Sequence, residues 1–155
     1  MLRTAILPLA LILTTPALAA AANAKPGPEQ VAAAALKAAP VWDGHNDVPE
    51  QLRDRTGDVL EGFDFSDTRN TARADKGAMQ TDLTRLKQGH VGAQFWSVYV
   101  DFKLPEPEAV RQTLEQIDTI KRLVARYPGE MMQATSSSDV ERAMKAGKEI
   151  GRAHV

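Results

Sequence analysis

The run Asp43-Gly44-His45-Asn46-Asp47-Val48-Pro49 contains the residues whose types and spacing best suit chemistry. In an extended segment, side chains two positions apart project to one side. His45 and Asp47 can then reach one cation together, through an imidazole nitrogen and a carboxylate oxygen, both suited to zinc at about 2.0–2.2 Å. The same residues also suit a turn. Asp and Asn beside Gly are frequent turn formers, and Asn46-Asp47 fits an Asx turn. Spacing alone leaves both readings open.

Other candidates carry less chemistry. His90 follows Gly89 at an expected helix end, where it can face either the helix dipole or a metal. Trp96 and Tyr99 suit either a substrate pocket or the core. Ser136-Ser137-Ser138 lacks the G-x-S-x-G context of a nucleophile elbow. No P-loop and no G-x-G-x-x-G occurs. With no Cys in the 155 residues, a disulfide scaffold, a thiolate zinc site and a Cys nucleophile are excluded. Nineteen Lys and Arg against 20 Asp and Glu give a net charge of −1, which argues against a nucleic-acid partner.

Strands and helices must position these residues. Val41-Trp42-Asp43, after Pro40, suits the start of a buried strand, with the turn-rich 44–49 following it. Residues 53–77 are polar and rich in Asp, Arg and Gly, a long excursion read either as lid-like or as solvated surface. Thr81 is expected to cap a short helix over 82–88, with Gly89 as its left-handed C′ residue. Val91–Val100 is β-branched and aromatic without clean alternation, the pattern of a strand covered on both faces. Pro105 and Pro107 open a helix that Tyr127-Pro128-Gly129 ends. Residues 130–134 suit a short strand, and Ser138-Asp139-Val140-Glu141 a capping box for a helix ending near Ala146. Strands alternating with helices predict an α/β fold with a parallel sheet and right-handed crossovers. In the barrel version of such a fold, His45 and Asp47 fall at the C-terminal end of the first strand, where barrel enzymes keep their active sites. About three βα units are too few to close a barrel of eight.

Both ends read differently from the middle. Met1-Leu2-Arg3, the apolar Ala5–Leu13 and the A-x-A sites Ala17-Leu18-Ala19 and Ala22-Asn23-Ala24 predict a secretory signal peptide over 1–24. Nine apolar residues are too few to span a bilayer about 30 Å thick. The protein is therefore expected to be secreted or periplasmic, with no membrane span after cleavage. An Ala- and Pro-rich leader occupies 25–40, with a helix expected over 31–39 before Pro40. At the other end, Glu149–Val155 reads back through the genetic code to a string that resembles a common sequencing adapter. The natural coding sequence is accordingly expected to depart from this one after Lys148.

The joint occurrence of Asp43-Gly44-His45-Asn46-Asp47 and Gly92-Ala93-Gln94-Phe95-Trp96-Ser97-Val98-Tyr99 resembles the membrane (renal) dipeptidase family, with Thr81-Asp82-Leu83, Gly89 and Ala143–Lys148 also fitting it. Val48 stands where that family more often has Leu. The resemblance covers 41–148 and implies the N-terminal portion of a (β/α)8 TIM barrel of the metal-dependent hydrolase type. It implies a binuclear zinc peptidase acting on dipeptides, with His45 and Asp47 as ligands of one of two zinc ions. A bridging glutamate and two further histidines would come from later strands. The chain by itself is then expected to be inactive and to expose unpaired strand edges. Homodimerisation of the intact enzyme stays open. The competing readings are another binuclear amidohydrolase and a secreted, non-catalytic binding domain.

Overall fold

The computed structural model describes residues 25–154; the expected signal peptide lies outside the described residues. The chain divides into two units between Ala34 and Ala35. Helix α1 (Pro28–Ala38) begins three residues before the expected start, with proline in its first turn, and buries none of its residues. The unit from residue 35 onward carries the sheet. Among the described residues, no helix is long and apolar enough to cross a membrane.

Strands β1 (Val41–Asn46), β2 (Val91–Ser97), β3 (Met131–Gln133) and β4 (Glu149–His154) form one parallel sheet in the order β1-β2-β4-β3. The helices between them are α2 (Val48–Thr56), α3 (Leu83–Gln88), α4 (Glu106–Arg126) and α5 (Ser137–Lys145). The sheet is open, as about three βα units predict. The residues set apart as a tail in the sequence supply β4, which lies between β2 and β3, and its Ile150 is 4% exposed. One large apolar residue in Glu-Ile-Gly-Arg-Ala-His is too weak a pattern to announce a strand.

The strand order places helices on both faces. From β1 to β2 to β3 the chain moves one way across the sheet, and from β3 to β4 it turns back. With right-handed crossovers, that reversal carries α5 to the opposite face. The core clusters agree. Val48 and Leu52 of α2, Leu83 of α3 and Ile120, Leu123 and Val124 of α4 pack with Trp96 and Val98. Val140 and Ala143 of α5 pack with Ala93 and Ile150. Ala93 and Trp96 differ in parity along β2, so the clusters lie on opposite sides, and β2 is covered on both, as its composition predicts.

β1 differs from expectation. It runs to Asn46, and where a buried strand is expected it is, among the described residues, an edge strand with one neighbour, leaving Trp42 48% exposed. Its start lies so close to β2 that a Cβ on Gly92 would sit 2.7 Å from Pro40 Cβ, which only glycine avoids.

Local caps shift by one or two residues. Asp82, not Thr81, caps α3, its carboxylate accepting from Arg85 N at 2.8 Å. The left-handed residue beyond that helix is His90 (φ 52), while Gly89 has φ −82. α5 uses Ser136 and Asp139 as its capping box, two residues before the expected pair. Three consecutive serines offer three registers, and Asp139 selects one by also accepting from Thr135 N and Ser136 N.

The 53–77 excursion is not a solvated surface throughout. α2 takes its first residues and stops at Gly57 (φ 60), and the rest folds back with Leu60 and Phe65 buried, as is Met79 just beyond it. The Phe65 ring meets Trp96 edge to face at 5.7 Å between centroids. Polar groups fix this return. Arg55, buried, donates to Gln51 Oε1 and to the carbonyls of Thr71 and Gly77. Buried Asp82 accepts from Thr68 N and from Arg85 Nε, and Arg85 also reaches Thr68 Oγ1 and Met79 O.

Candidate metal centre

β1 delivers His45 to its C-terminal end and α2 begins at Val48, leaving Asp47 at the helix N-cap position. An N-cap aspartate ordinarily accepts from the first turn. Here Asp47 makes no side-chain cap. Asn46 takes the local role, its Oδ1 accepting from Val48 N at 3.2 Å. The turn-former reading thus applies to Asn46 and releases Asp47, whose Oδ1 lies 3.0 Å from His45 Nε2. The side chains of His45 and Asp47 are 61% and 47% exposed.

The two groups therefore share a side, reached through a strand irregularity and a helix N-cap and not along one extended segment, and both are open to solvent. Ligands at about 2.0–2.1 Å from a tetrahedral zinc lie roughly 3.3 Å apart, close to the separation seen across this hydrogen bond. By donor chemistry and spacing, an imidazole and a carboxylate so placed suit a zinc-type cation. They supply two donors. Among the described residues, no group of three or more His, Cys, Asp or Glu is placed to hold a metal ion. The pair opens onto a cleft of about 500 Å³ lined by Gln51, Arg55, Met79 and Thr81.

Beneath the pair lies a polar support to which spacing within the sequence assigns no role. Asp43 Oδ1 accepts from His45 N at 3.1 Å, and its Oδ2 accepts from Asn46 Nδ2 at 3.1 Å and Gln94 Nε2 at 2.7 Å. Partial burial works against the Asp43 charge. The hydrogen bonds from His45, Asn46 and Gln94 outweigh it and hold the carboxyl below its ordinary value. Thr81, freed from capping α3, accepts from Asn46 Nδ2 at 3.2 Å. The signal for Asp43 was its place two residues before His45. For Gln94 it was a polar residue inside an otherwise apolar strand.

The remaining candidates lie apart from this pair. Trp96 is 1% exposed and donates from Nε1 to Gln94 Oε1 at 3.0 Å, which places it in the core. Tyr99 is exposed beyond β2, and its carbonyl accepts from Arg53 and Gln116. His90 stands at the opposite end of β2, before Val91, and its carbonyl accepts from Val41 N.

Comparison with known proteins adds a family. Residues 29–151 match the model of the membrane dipeptidases, peptidase family M19. Dipeptidase 3 of Mus musculus is 39% identical over 120 residues, which are 77% of this chain and 22% of that protein. The chain spans roughly a fifth to a quarter of the length of the curated relatives it matches. Among solved structures, the probable dipeptidase PvdM from Pseudomonas aeruginosa aligns with a TM-score of 0.58 at 21% identity, over 83% of this chain and 32% of that one. A metallopeptidase from Rhodobacter sphaeroides, liganded with a phosphinate mimic of the dipeptide L-Ala-D-Ala, aligns with a TM-score of 0.57 at 16% identity, over 74% and 37%.

Proposed function

Because the chain belongs to the membrane dipeptidase family, peptidase family M19, we propose that it is the first part of a zinc-dependent dipeptidase in which His45 and Asp47 are two ligands of one zinc ion. The observation that carries this reading is the convergence of these two side chains, 3.0 Å apart and open to solvent, at the end of β1. His45 and Asp47 would hold one ion, and the metal would supply a water of lowered pKa and polarise the scissile carbonyl. The residues of this chain bind and orient. His45 and Asp47 present their donor atoms to one point, and neither serves as the base. Asn46 holds the turn that separates them from α2. The substrate class is a dipeptide, supported by the dipeptide mimic in the Rhodobacter sphaeroides neighbour.

The remaining ligands that this reading requires, a bridging glutamate and two histidines, are proposed to come from later strands, the chain spanning roughly a fifth to a quarter of its relatives' length. The natural coding sequence is proposed to continue past Lys148 into them, and residues 1–24 to direct the protein to the periplasm or outside the cell. The test compares two proteins for zinc-dependent hydrolysis of L-Ala-D-Ala. One is the 155-residue chain and the other carries the remainder of the natural barrel. Activity and two zinc ions per chain are expected in the longer protein alone, and His45→Ala abolishes both while leaving its circular dichroism unchanged. Zinc-dependent turnover by the 155-residue chain, or an active longer protein with His45→Ala, contradicts the assignment.

A further inference from the structure

His45 occupies a break in the sheet. Pairing of β1 with β2 passes from Asp43↔Gln94 to Asn46↔Trp96, so two residues of β1, Gly44 and His45, stand opposite one residue of β2. Such a bulge re-aims a side chain and interrupts the ladder. The His45 amide bonds to Asp43 Oδ1 at 3.1 Å. We propose that Asp43 is the positioning residue of the metal centre, its carboxylate closing the bulge that aims His45 at Asp47. This rests on the ligand assignment made above and adds to it the group that sets the ligand's direction.

The hydrogen-bond partners show why this residue must be a carboxylate. Gln94 has one orientation, because its Oε1 accepts from the indole N–H of Trp96, which can only donate; its amide nitrogen must then face Asp43. Asn46 has one orientation too, because its Oδ1 accepts from the backbone N–H of Val48, so its amide nitrogen also faces Asp43. The third neighbour is the His45 backbone N–H. Asp43 therefore meets three donors fixed from outside, two at Oδ2 and one at Oδ1, and offers acceptors alone. Trp96 and Gln94 are 1% and 5% exposed, so the chain from Trp96 through Gln94 to Asp43 transmits the position of the core to the exposed His45.

Two substitutions separate the ties. In Asp43→Asn the single oxygen serves Gln94 and Asn46, and its amide nitrogen confronts the His45 N–H. The sheet tie is kept and the bulge opens. In Asp43→Ser the hydroxyl can still accept from the amide two residues on but falls short of Gln94, so the bulge stays closed and the sheet tie is lost. Nuclear magnetic resonance on the full 155-residue chain reads both, without metal by hydrogen exchange of the His45 amide and with zinc chloride by the shift of the His45 ring. Asp43→Asn is expected to speed His45 exchange about tenfold and weaken zinc binding about tenfold, the scale at which groups supporting a ligand act, with thermal unfolding lowered less than in Asp43→Ser. His45 exchange in Asp43→Ser is expected to stay near the parent's. Unchanged His45 exchange in Asp43→Asn, or equal acceleration in both variants, overturns the proposal. A parent chain whose His45 ring ignores zinc defeats the ligand assignment instead, and the metal-free exchange still decides whether Asp43 positions His45. If Asp43→Asn does not fold, the Asp43→Ser chain decides: rapid His45 exchange there, with the hydroxyl in reach, also overturns the proposal.

Discussion

The two faces of the sheet are finished to different degrees. On one, α2, α3 and α4 cover Trp96 and Val98 with large side chains, and the 57–82 return adds Leu60, Phe65 and Met79. On the other, α5 contributes Val140 and Ala143 against Ala93 and Ile150, mostly small groups, and Trp42 is left 48% exposed. An apolar hollow of about 390 Å³ runs there between Trp42, Phe95, Val140 and Ile150. The first face holds this unit together. The second is covered by α5 alone among the described residues.

The sharpest way to break this comparison is to truncate one tryptophan on each face. Trp96→Ala is expected to cost about 3–5 kcal/mol and to abolish cooperative unfolding in urea. Trp42→Ala should shift the midpoint by no more than about 0.5 kcal/mol. Equal effects would mean that the second face is as complete as the first.

Next in size is the polar clamp behind the finished face. Asp82 is 1% exposed and joined to Arg85. Asp82→Ala strips a cap and leaves Arg85 without its partner, for an expected loss of about 3 kcal/mol. Asp82 also gives a pH signature. Burial opposes its charge, but bonds from Arg85 and Thr68 prevail and hold its carboxyl below the ordinary value of 3.8. A carboxylate depressed in the folded state contributes stability above its unfolded pKa and loses it as pH falls through the folded one. The urea midpoint is therefore expected to stay level from pH 7 to about pH 5 and to drop below about pH 4, with a shallower drop in Asp82→Asn.

The smallest effect comes from a flaw beside α4. Asp58 has φ 63, and its Oδ1 is buried with no hydrogen-bond partner among the described residues. Burial raises its carboxyl above the usual value despite Thr119, Arg53 and Arg122 nearby. The sign is opposite to that of Asp82. The folded state binds this proton more tightly, so Asp58 weakens the fold at neutral pH and ceases to do so as pH falls through its raised pKa. Asn tolerates a left-handed backbone. Asp58→Asn should raise the midpoint at pH 7 by less than about 1 kcal/mol and have no effect near pH 3.

Regular elements and the approach of His45 to Asp47 were legible where a local pattern sufficed. Pro105 and Pro107 marked the start of α4, the Val91–Val100 composition announced a strand covered twice, which the structure ends at Ser97, and the i, i+2 spacing pointed to His45 and Asp47 as neighbours. What depends on distant partners was not legible. Whether Thr81 or Asp82 caps α3 depends on Asn46, 35 residues earlier, which takes the Thr81 hydroxyl. Ser136 prevails over Ser138 because Asp139 reaches back to residues 135 and 136. β4 has little apolar pattern of its own and is defined by strands on both sides. The support under His45 and Asp47 needed Gln94 to arrive from β2, which spacing within β1 cannot reveal.

The central claim is that His45 and Asp47 hold one divalent cation jointly. Titrating zinc chloride into the 155-residue chain while following the His45 ring nitrogens and the Asp47 carboxyl carbon by nuclear magnetic resonance tests it most directly. Both signals are expected to move along one binding curve, and His45→Ala or Asp47→Ala to flatten the curve of the residue that remains. Two independent curves, or a zinc response confined to His90, would contradict the account.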